Sequence, residues 1–350
     1  MGANVREWQY NSGLLFAGCR LRLLLAPMEG LLDDVLRDVV TRVGAYDWAV
    51  SEFMRVSDTL LPHRFYRRAC PELDAGGCTA AGTPVRVQLL GSDPALMAEN
   101  AAHLVELAPP GVDLNFGCPA PTVNRHRGGA ALLDEPELLW RIAQSVRHVV
   151  PAGIPFTAKM RLGIADPSRA CDCARALADG GVEQIVVHAR TRTEGYRPPA
   201  HWEWVARIGA VVTVPVVANG EIWSEADWLR CREVSGATDV MLGRGAVADP
   251  FLARRLRAHG AAGMALRPAD RAEEWRELCG LLGLFWLRVR RKVAPRFAPG
   301  RLKQWLNLLR RNFPQAEQLF TEIRSMRHPV EIEPVLQRYG IMMAGQTRAA

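Results

Sequence analysis

Eight short apolar runs with strand character recur along the first two thirds of the chain, and nearly every one delivers a polar residue at or near its C-terminal end. The runs are Leu21–Ala26, Trp48–Ser51, Val85–Leu89, Val112–Asn115, Phe156–Met160, Gln184–His188, Val216–Asn219 and Asp239–Leu242. Between them lie Leu31–Val43, Pro94–Leu107, Glu135–Val150, Ser168–Gly180, Trp202–Ile208 and Glu225–Ser235, which carry apolar residues at helical spacing. Eight strands alternating with helices over about 240 residues is the count of a closed (β/α)8, or TIM, barrel. A doubly wound open sheet is the competitor, and it is disfavoured because no Gly-x-Gly-x-x-Gly follows the first run.

Beyond Asp249-Pro250 the strand signal stops. Residues 251–259 read as the last barrel helix and Gly260–Pro268 as a linker. Four further helices are expected at 270–292, 300–312, 314–327 and 329–339, each opened or broken by Pro or Gly. The expected fold is therefore an α/β TIM barrel followed by a small all-α bundle. The expected division is an N-terminal extension at 1–19, a barrel at 20–262 and a helical domain at 269–345.

Charge divides along the same line. Residues 271–350 hold 15 Lys and Arg against 7 Asp and Glu, whereas the rest of the chain holds 29 against 30. A neutral body with a basic appendage points to a polyanionic partner, or to an ordinary solvated helical surface. Eight cysteines scattered over 350 residues, with no Cys-x-x-Cys pair, argue against a disulfide scaffold or a structural metal. Cys171-Asp172-Cys173 on a helix aims its thiols to different sides. Leu15–Cys19 is preceded by polar residues and is too short an apolar run for an export signal, so a cytoplasmic protein is expected, with no membrane contact.

In a barrel of this kind chemistry collects at the C-terminal ends of the strands. The first run ends in Ala26-Pro27-Met28-Glu29-Gly30; the third carries Gln88; the fourth ends in Asn115 and leads into Gly117-Cys118-Pro119. The fifth ends in Lys159 and Arg161, the sixth in His188 and Arg190, the seventh in Asn219-Gly220-Glu221 and the eighth in Gly243-Arg244-Gly245. Taken singly, each has a structural explanation. Polar groups delivered to one rim by seven strands need partners, and a ligand supplies them. Glycine turns after the seventh and eighth runs, with Arg244, suit a phosphate. Lys159 can set positive charge against an electron-rich ring, so a phosphorylated planar cofactor such as FMN fits the set. Cys118, held between Gly117 and Pro119, can donate a proton as a neutral thiol or act as a nucleophile if its pKa falls.

The stretches LLLAPMEGLLD, SEFMRV, RVQLLG, VDLNFGCPAPTVN, AKMRLG, VVHARTRTEGYR, PVVANGEIW, DVMLGRGA and RLKQWLNLLRR resemble the tRNA-dihydrouridine synthase family, and most of all its bacterial C-type subfamily. They run from about residue 21 to residue 330 and so cover both expected domains. The resemblance implies a barrel that binds FMN, reduced by NADPH, and a helical domain that binds tRNA. It places FMN against Pro27, Met28, Glu29, Gln88, Lys159, His188, Asn219, Gly220, Glu221, Gly243 and Arg244. It implies that Cys118 protonates C5 of a uridine turned out of the tRNA fold while a hydride reaches C6. Asn115 and Arg161 would help to hold the uracil, and Phe116 would sit beside it.

The same resemblance matches Arg55, Arg301, Lys303 and Arg324 to tRNA contacts and implies position 16 of the D-loop. Arg190, Arg192 and Arg197 are expected near the pocket mouth, within reach of RNA. Arg288, Arg290, Arg291 and Lys292 read as a solvated or general phosphate-binding face. The enzyme is expected to act as a monomer without metal. A flavin reductase of free pyrimidines would account for the barrel motifs but gives the basic helical part no task. A tRNA-binding protein without catalysis would have no use for Cys118 or Lys159.

Overall fold

The computed structural model describes residues 21–120, 128–262 and 270–341. Nine strands form one sheet: β1 (Leu23–Leu25), β2 (Trp48–Val50), β3 (Met54–Arg55), β4 (Val85–Leu90), β5 (Val112–Phe116), β6 (Phe156–Arg161), β7 (Gln184–His188), β8 (Val216–Asn219) and β9 (Val240–Leu242). All pair in parallel in the order β2-β1-β9-β8-β7-β6-β5-β4-β3, and a β2–β4 pairing closes the ring. Each of the eight expected runs contributes one barrel strand. The two-residue β3 is an addition to them: the chain leaves β2 at Ser51, then re-pairs with the upper end of β4, Met54 opposite Leu89. A two-residue strand gives no periodic signal to read.

Helices cover the outside of the barrel: α1 (Asp34–Val43), α2 (His63–Ala69), α3 (Pro94–Val105), α4 (Pro136–Val149), α5 (Ala170–Asp179), α6 (Trp202–Gly209), α7 (Glu225–Ser235), the short α8 (Arg244–Ala248) and α9 (Leu252–Ala262). Local chemistry starts several of them. Asp33 accepts from the Leu36 N–H, Asp93 from the Leu96 N–H ahead of Pro94, and Ser224 from the Asp227 N–H. On α5, Cys173 is buried and Cys171 is only partly so, as helical spacing requires.

Four helices follow: α10 (Arg271–Lys292), α11 (Ala298–Leu309), α12 (Pro314–Ile323) and α13 (Pro329–Arg338). They share a core of Trp275, Phe285, Trp286, Trp305, Phe313 and Leu319 that is continuous with the barrel's outer core. The expected extension at 1–19 and most of the expected linker lie outside the described residues. None of the described helices is long and apolar enough to cross a membrane.

Much of the basic excess of these helices faces inward, onto the barrel. Arg288 pairs with Asp38 at 2.6 Å, Lys292 with Asp34, and Arg301 with Asp33 at 2.9 Å, all three acids flanking or lying on α1. Arg290 pairs with Glu333 inside the bundle. The expectation of a solvated or phosphate-binding face at 288–292 is thus corrected for Arg288 and Lys292, which dock on the barrel, and for Arg290, which pairs within the bundle. A second junction surrounds the buried Asp249, which takes Arg255 at 2.5 Å and Arg271 at 3.0 Å, while Glu274 on α10 accepts from both arginines.

The barrel-to-helix layer holds a buried ion pair. Arg37 of α1, with no exposed surface, donates to both oxygens of Glu72 at 2.8 and 2.9 Å. Removing one partner of such a pair strands the other charge in the core. Arg37→Met is expected to cost about 3–5 kcal/mol of unfolding free energy in urea, and the double replacement R37M/E72L to recover most of it.

Candidate active site

Alternation along each strand decides which side chains enter the barrel. On β5, Asp113 and Asn115 point inward. Leu114 and Phe116 point outward and are buried in the barrel-to-helix core. The expectation that Phe116 sits beside the substrate is corrected: it is 1% exposed and does not line the cavity.

The interior is divided. Strands β1, β2, β8 and β9 fill their side with Leu24, Ala26, Trp48, Val50, Val217 and Met241, joined by Val186 of β7. Strands β4 to β7 fill theirs with Arg86, Gln88, Asp113, Asn115, Thr157, Lys159, Arg161, Gln184 and His188. Register keeps these groups together, with Gln88 opposite Asp113, Asn115 opposite Lys159 and Arg161 opposite His188.

Above this interior, at the C-terminal rim, lies a cavity of about 580 Å³, within the range of small-molecule sites. Every residue that sequence assigns to cofactor or acid lines it: Pro27, Met28, Glu29, Gln88, Cys118, Lys159, His188, Asn219, Gly220, Glu221, Gly243 and Arg244. Asn115, Arg161 and Arg190 join them. Arg190 is a correction to its expected place. It has no exposed surface, pairs with Glu221 and donates to the Arg197 carbonyl at 2.6 Å. A guanidinium so enclosed is part of the cavity wall and does not meet RNA at the mouth.

The remaining expected tRNA contacts lie off the cavity. Arg301 donates to the carbonyls of Gly30 and Leu31 at 3.1 Å, which fastens α11 to the loop after β1. Lys303 donates to the carbonyls of Arg324 (3.0 Å) and Met326 (2.5 Å) beyond α12. Arg324 is exposed, and Arg55 is half-buried on β3.

The Cys118 turn is held from two sides. Asn115 Oδ1 accepts from the N–H groups of Gly117 and Cys118, each at 2.9 Å. Arg161 donates to Gly117 O, Thr191 O and Gly195 O, each at 2.8 Å, tying the turn to the loop that carries Tyr196. Burial pushes the Cys118 thiol above its ordinary value, so it stays protonated near neutrality.

The β8 turn is built around a glycine. Gly220 has φ +110°, and a Cβ there would meet the His188 ring at 2.8 Å. The next residue, Glu221, is a non-glycine at φ +61°, a backbone strain that clusters at functional sites. Trp202 donates to the Gly220 carbonyl at 3.0 Å and Trp223 to Glu221 Oε1 at 3.2 Å, which fixes the turn.

Cations outnumber anions around this space. Lys159, Arg161, Arg190 and Arg244 line it against Glu29 and Glu221. Burial first, then repulsion by Arg161, pulls Lys159 down to about 8. Burial and the facing Arg244 and Arg161 pull Arg190 to about 10. His188, enclosed and faced by four cations, falls well below its ordinary value and is neutral. The arrangement stores positive charge at a cost that a bound anion offsets.

Sequence reasoning does not single out the aromatic rim, although its residues stand inside motifs it uses. Arg161 lies over Tyr196 at 5.2 Å, Arg244 over Tyr196 at 4.6 Å and over Trp223 at 5.2 Å, and Arg311 over Trp223 at 4.4 Å. Arginines and rings thus alternate from the Cys118 turn to the end of α11. Phe53, between β2 and β3, completes the wall. Away from the cavity, His63, His103 and Glu106 are the one group among the described residues with metal-ligand proximity. Their rings stack at 3.8 Å and their nitrogens meet backbone carbonyls.

The fold is shared with solved structures of a 2-naphthoyl-CoA reductase complex (TM-score 0.52, 11% identity, 67% of this chain and 49% of that one) and of a histamine dehydrogenase from Rhizobium sp. 4-9 (0.51, 13%, 75% and 48%). At such identities the likeness shows the barrel alone. The sequence is closer to curated proteins. It is 58% identical over 318 residues to a tRNA-dihydrouridine(16) synthase of Aquipseudomonas alcaligenes, covering 90% of this chain and 99% of that protein. It is 45% identical over 322 residues to the protein of that name from Neisseria meningitidis serogroup B, covering 91% and 95%. It is 42% identical over 318 residues to that from Shewanella oneidensis, covering 91% and 98%. A model of the dihydrouridine synthase (Dus) family matches residues 24–327, and the chain belongs to that family.

Proposed function

We propose that this chain reduces the C5=C6 bond of uridine 16 in the tRNA D-loop to 5,6-dihydrouridine, using FMN with NADPH as the source of electrons. The observation that carries the reading is a protonated, turn-mounted thiol, Cys118, opening on a cation-rich cavity at the barrel rim. Membership of the dihydrouridine synthase family and the names of its relatives support the reaction and its position.

The residues present fit a flavin phosphate. Two positive charges in excess, two buried cations with lowered pKa values and a strained glycine turn make a place that gains from an anion. Arg190 and Arg244 would hold the phosphate end, with the Asn219–Glu221 turn beside it, and Lys159, Gln88 and His188 would face the ring system. When bound, the flavin supplies the hydride for C6 of the uracil.

The chain's own residues do the rest. Asn115 and Arg161 hold the Cys118 turn, so the thiol keeps one position at the cavity wall. Cys118 Sγ carries the proton for C5, and its raised pKa keeps that proton in place at neutral pH. Tyr196 and Trp223, each under arginine, form a rim on which a turned-out base and its neighbours can stack. We assign catalysis to the barrel, residues 20–262, and tRNA docking to residues 269–345. There Arg324 and Arg311 are exposed, and Arg301 and Lys303 hold the surface in shape. The enzyme acts as a monomer in the cytoplasm, where tRNA is processed.

Position-resolved mapping of dihydrouridine in a tRNA with uridines at 16, 17 and 20 tests the proposal. Dihydrouridine at 16 alone is the expected result, and product at 17 or 20 instead would break the assignment of position. Reduction of free uracil without tRNA would favour the pyrimidine-reductase reading. Cys118→Ala is expected to keep flavin and tRNA binding while losing on the order of 10²–10⁴ in turnover.

Lys159 gives the pH dependence its sign. It is charged below about 8 and neutral above. Affinity for the anionic flavin should therefore be flat below that point and fall as pH rises through it. Flavin fluorescence titrations between pH 7 and 9 should show this fall, and Lys159→Gln should weaken binding at pH 7 and remove the slope over that range.

A further inference from the structure

A chain of hydrogen bonds runs from the barrel floor to the Cys118 turn, and every donor in it points the same way. Asp113 is 1% exposed. Its Oδ1 accepts from Thr157 Oγ1 at 2.5 Å and its Oδ2 from Gln88 Nε2 at 2.6 Å. Gln88 Oε1 accepts from Asn115 Nδ2 at 2.7 Å, and Asn115 Oδ1 accepts from the N–H groups of Gly117 and Cys118.

Gln88 and Asn115 are amides, donors at one end and acceptors at the other, and either could be turned over. Their sense is held from both ends: the Gly117 and Cys118 N–H groups need an acceptor, and so do the donors that meet Asp113. A carboxylate offers only acceptors, so Gln88 must present its NH2 to Asp113 and its oxygen to Asn115. Asn115 must then present its NH2 to Gln88 and its oxygen to the turn. Reversal would aim the Asn115 NH2 at two backbone N–H groups and release the turn.

We propose that Asp113 is a positioning residue for Cys118, acting through Gln88 and Asn115, whose direction it enforces together with the N–H groups of the turn. The inference rests on the reading of Cys118 as the proton donor. It assigns Asp113 no contact with substrate or cofactor, since it lies below the cavity and does not line it.

The test uses isosteric changes that leave the core filled. In Asp113→Asn the amide oxygen can still accept from Gln88 while its NH2 is taken by the Thr157 hydroxyl, so direction survives. In Thr157→Val the carboxylate remains, so direction survives again. In the double variant D113N/T157V the NH2 introduced at position 113 loses the Thr157 hydroxyl; it either stays unpaired or competes for Gln88 Oε1, and both outcomes loosen the chain beneath the Cys118 turn. Each single variant is expected to keep kcat within about threefold, and the double to lose about tenfold or more, with tRNA KM and flavin affinity little changed. A second readout needs no turnover: iodoacetamide labelling of Cys118 in flavin-free protein, followed by peptide mass. The double variant should change that rate several-fold more than the product of the single effects.

Additive behaviour of the double variant in both readouts overturns the proposal, as does a D113N variant as impaired as the double, which would mean that charge and not direction matters. Cys118→Ala, assayed alongside, separates the two levels. An active Cys118→Ala enzyme refutes the thiol as acid. An inactive one, together with an additive double variant, refutes only the relay.

Discussion

Closure of the parallel barrel is the constraint on which the rest depends. Pairing of β2 with β4 and of β1 with β9 leaves no open edge among the eight barrel strands, and parallel strands running one way put all eight C-terminal ends on one rim. Alternation then sends every second side chain inward. With apolar residues on the β1, β2, β8 and β9 side and mostly polar ones from β4 to β7, the interior becomes a packed wall facing a polar one. The cavity forms where the polar wall reaches the rim, because groups there have no further layer of strand to satisfy them.

Charge is handled on two surfaces with opposite purposes. Inside the rim, Lys159, Arg161, Arg190 and Arg244 are held near one another at the cost of lowered pKa values, which prepares a place for an anion before it arrives. On the outside, much of the basic excess of the last four helices is taken up by the acids around α1 and by Asp249 and Glu274. Those pairs set the angle of the helical part to the barrel. The Arg311–Trp223–Arg244 stack joins the two surfaces, so the helical part reaches the rim of the cavity directly.

The barrel is legible in the sequence because its signals are local. Eight runs of apolar residues with helical segments between them give strand count and connectivity without any knowledge of contacts. The polar strand ends are legible for the same reason, and the cavity gathers all twelve residues assigned to cofactor and acid. What the sequence misleads about turns on direction and partnership. Adjacency to Asn115 suggests that Phe116 sits beside the substrate, whereas alternation puts neighbours on opposite faces. Position after the strand suggests that Arg190 stands at the mouth, whereas Glu221, thirty-one positions later, draws it into the wall. Arg288 and Lys292 read as free charge because Asp38 and Asp34 lie some 250 residues away in the chain.

By itself, then, the sequence determined the barrel, the helical addition, the family and which strand-end residues meet at the cavity, since each is written in spacing or in contiguous motifs. Tertiary structure alone decided which cations are used in docking and which are stored around the cavity, because an ion pair is a matter of distance in space. It alone raised the Cys118 thiol and lowered Lys159, because burial has no counterpart in a string of residues. And it alone set the one-way chain from Asp113 through Gln88 and Asn115 to the Cys118 turn, because only strand register places Asp113 against Gln88 and Gln88 against Asn115.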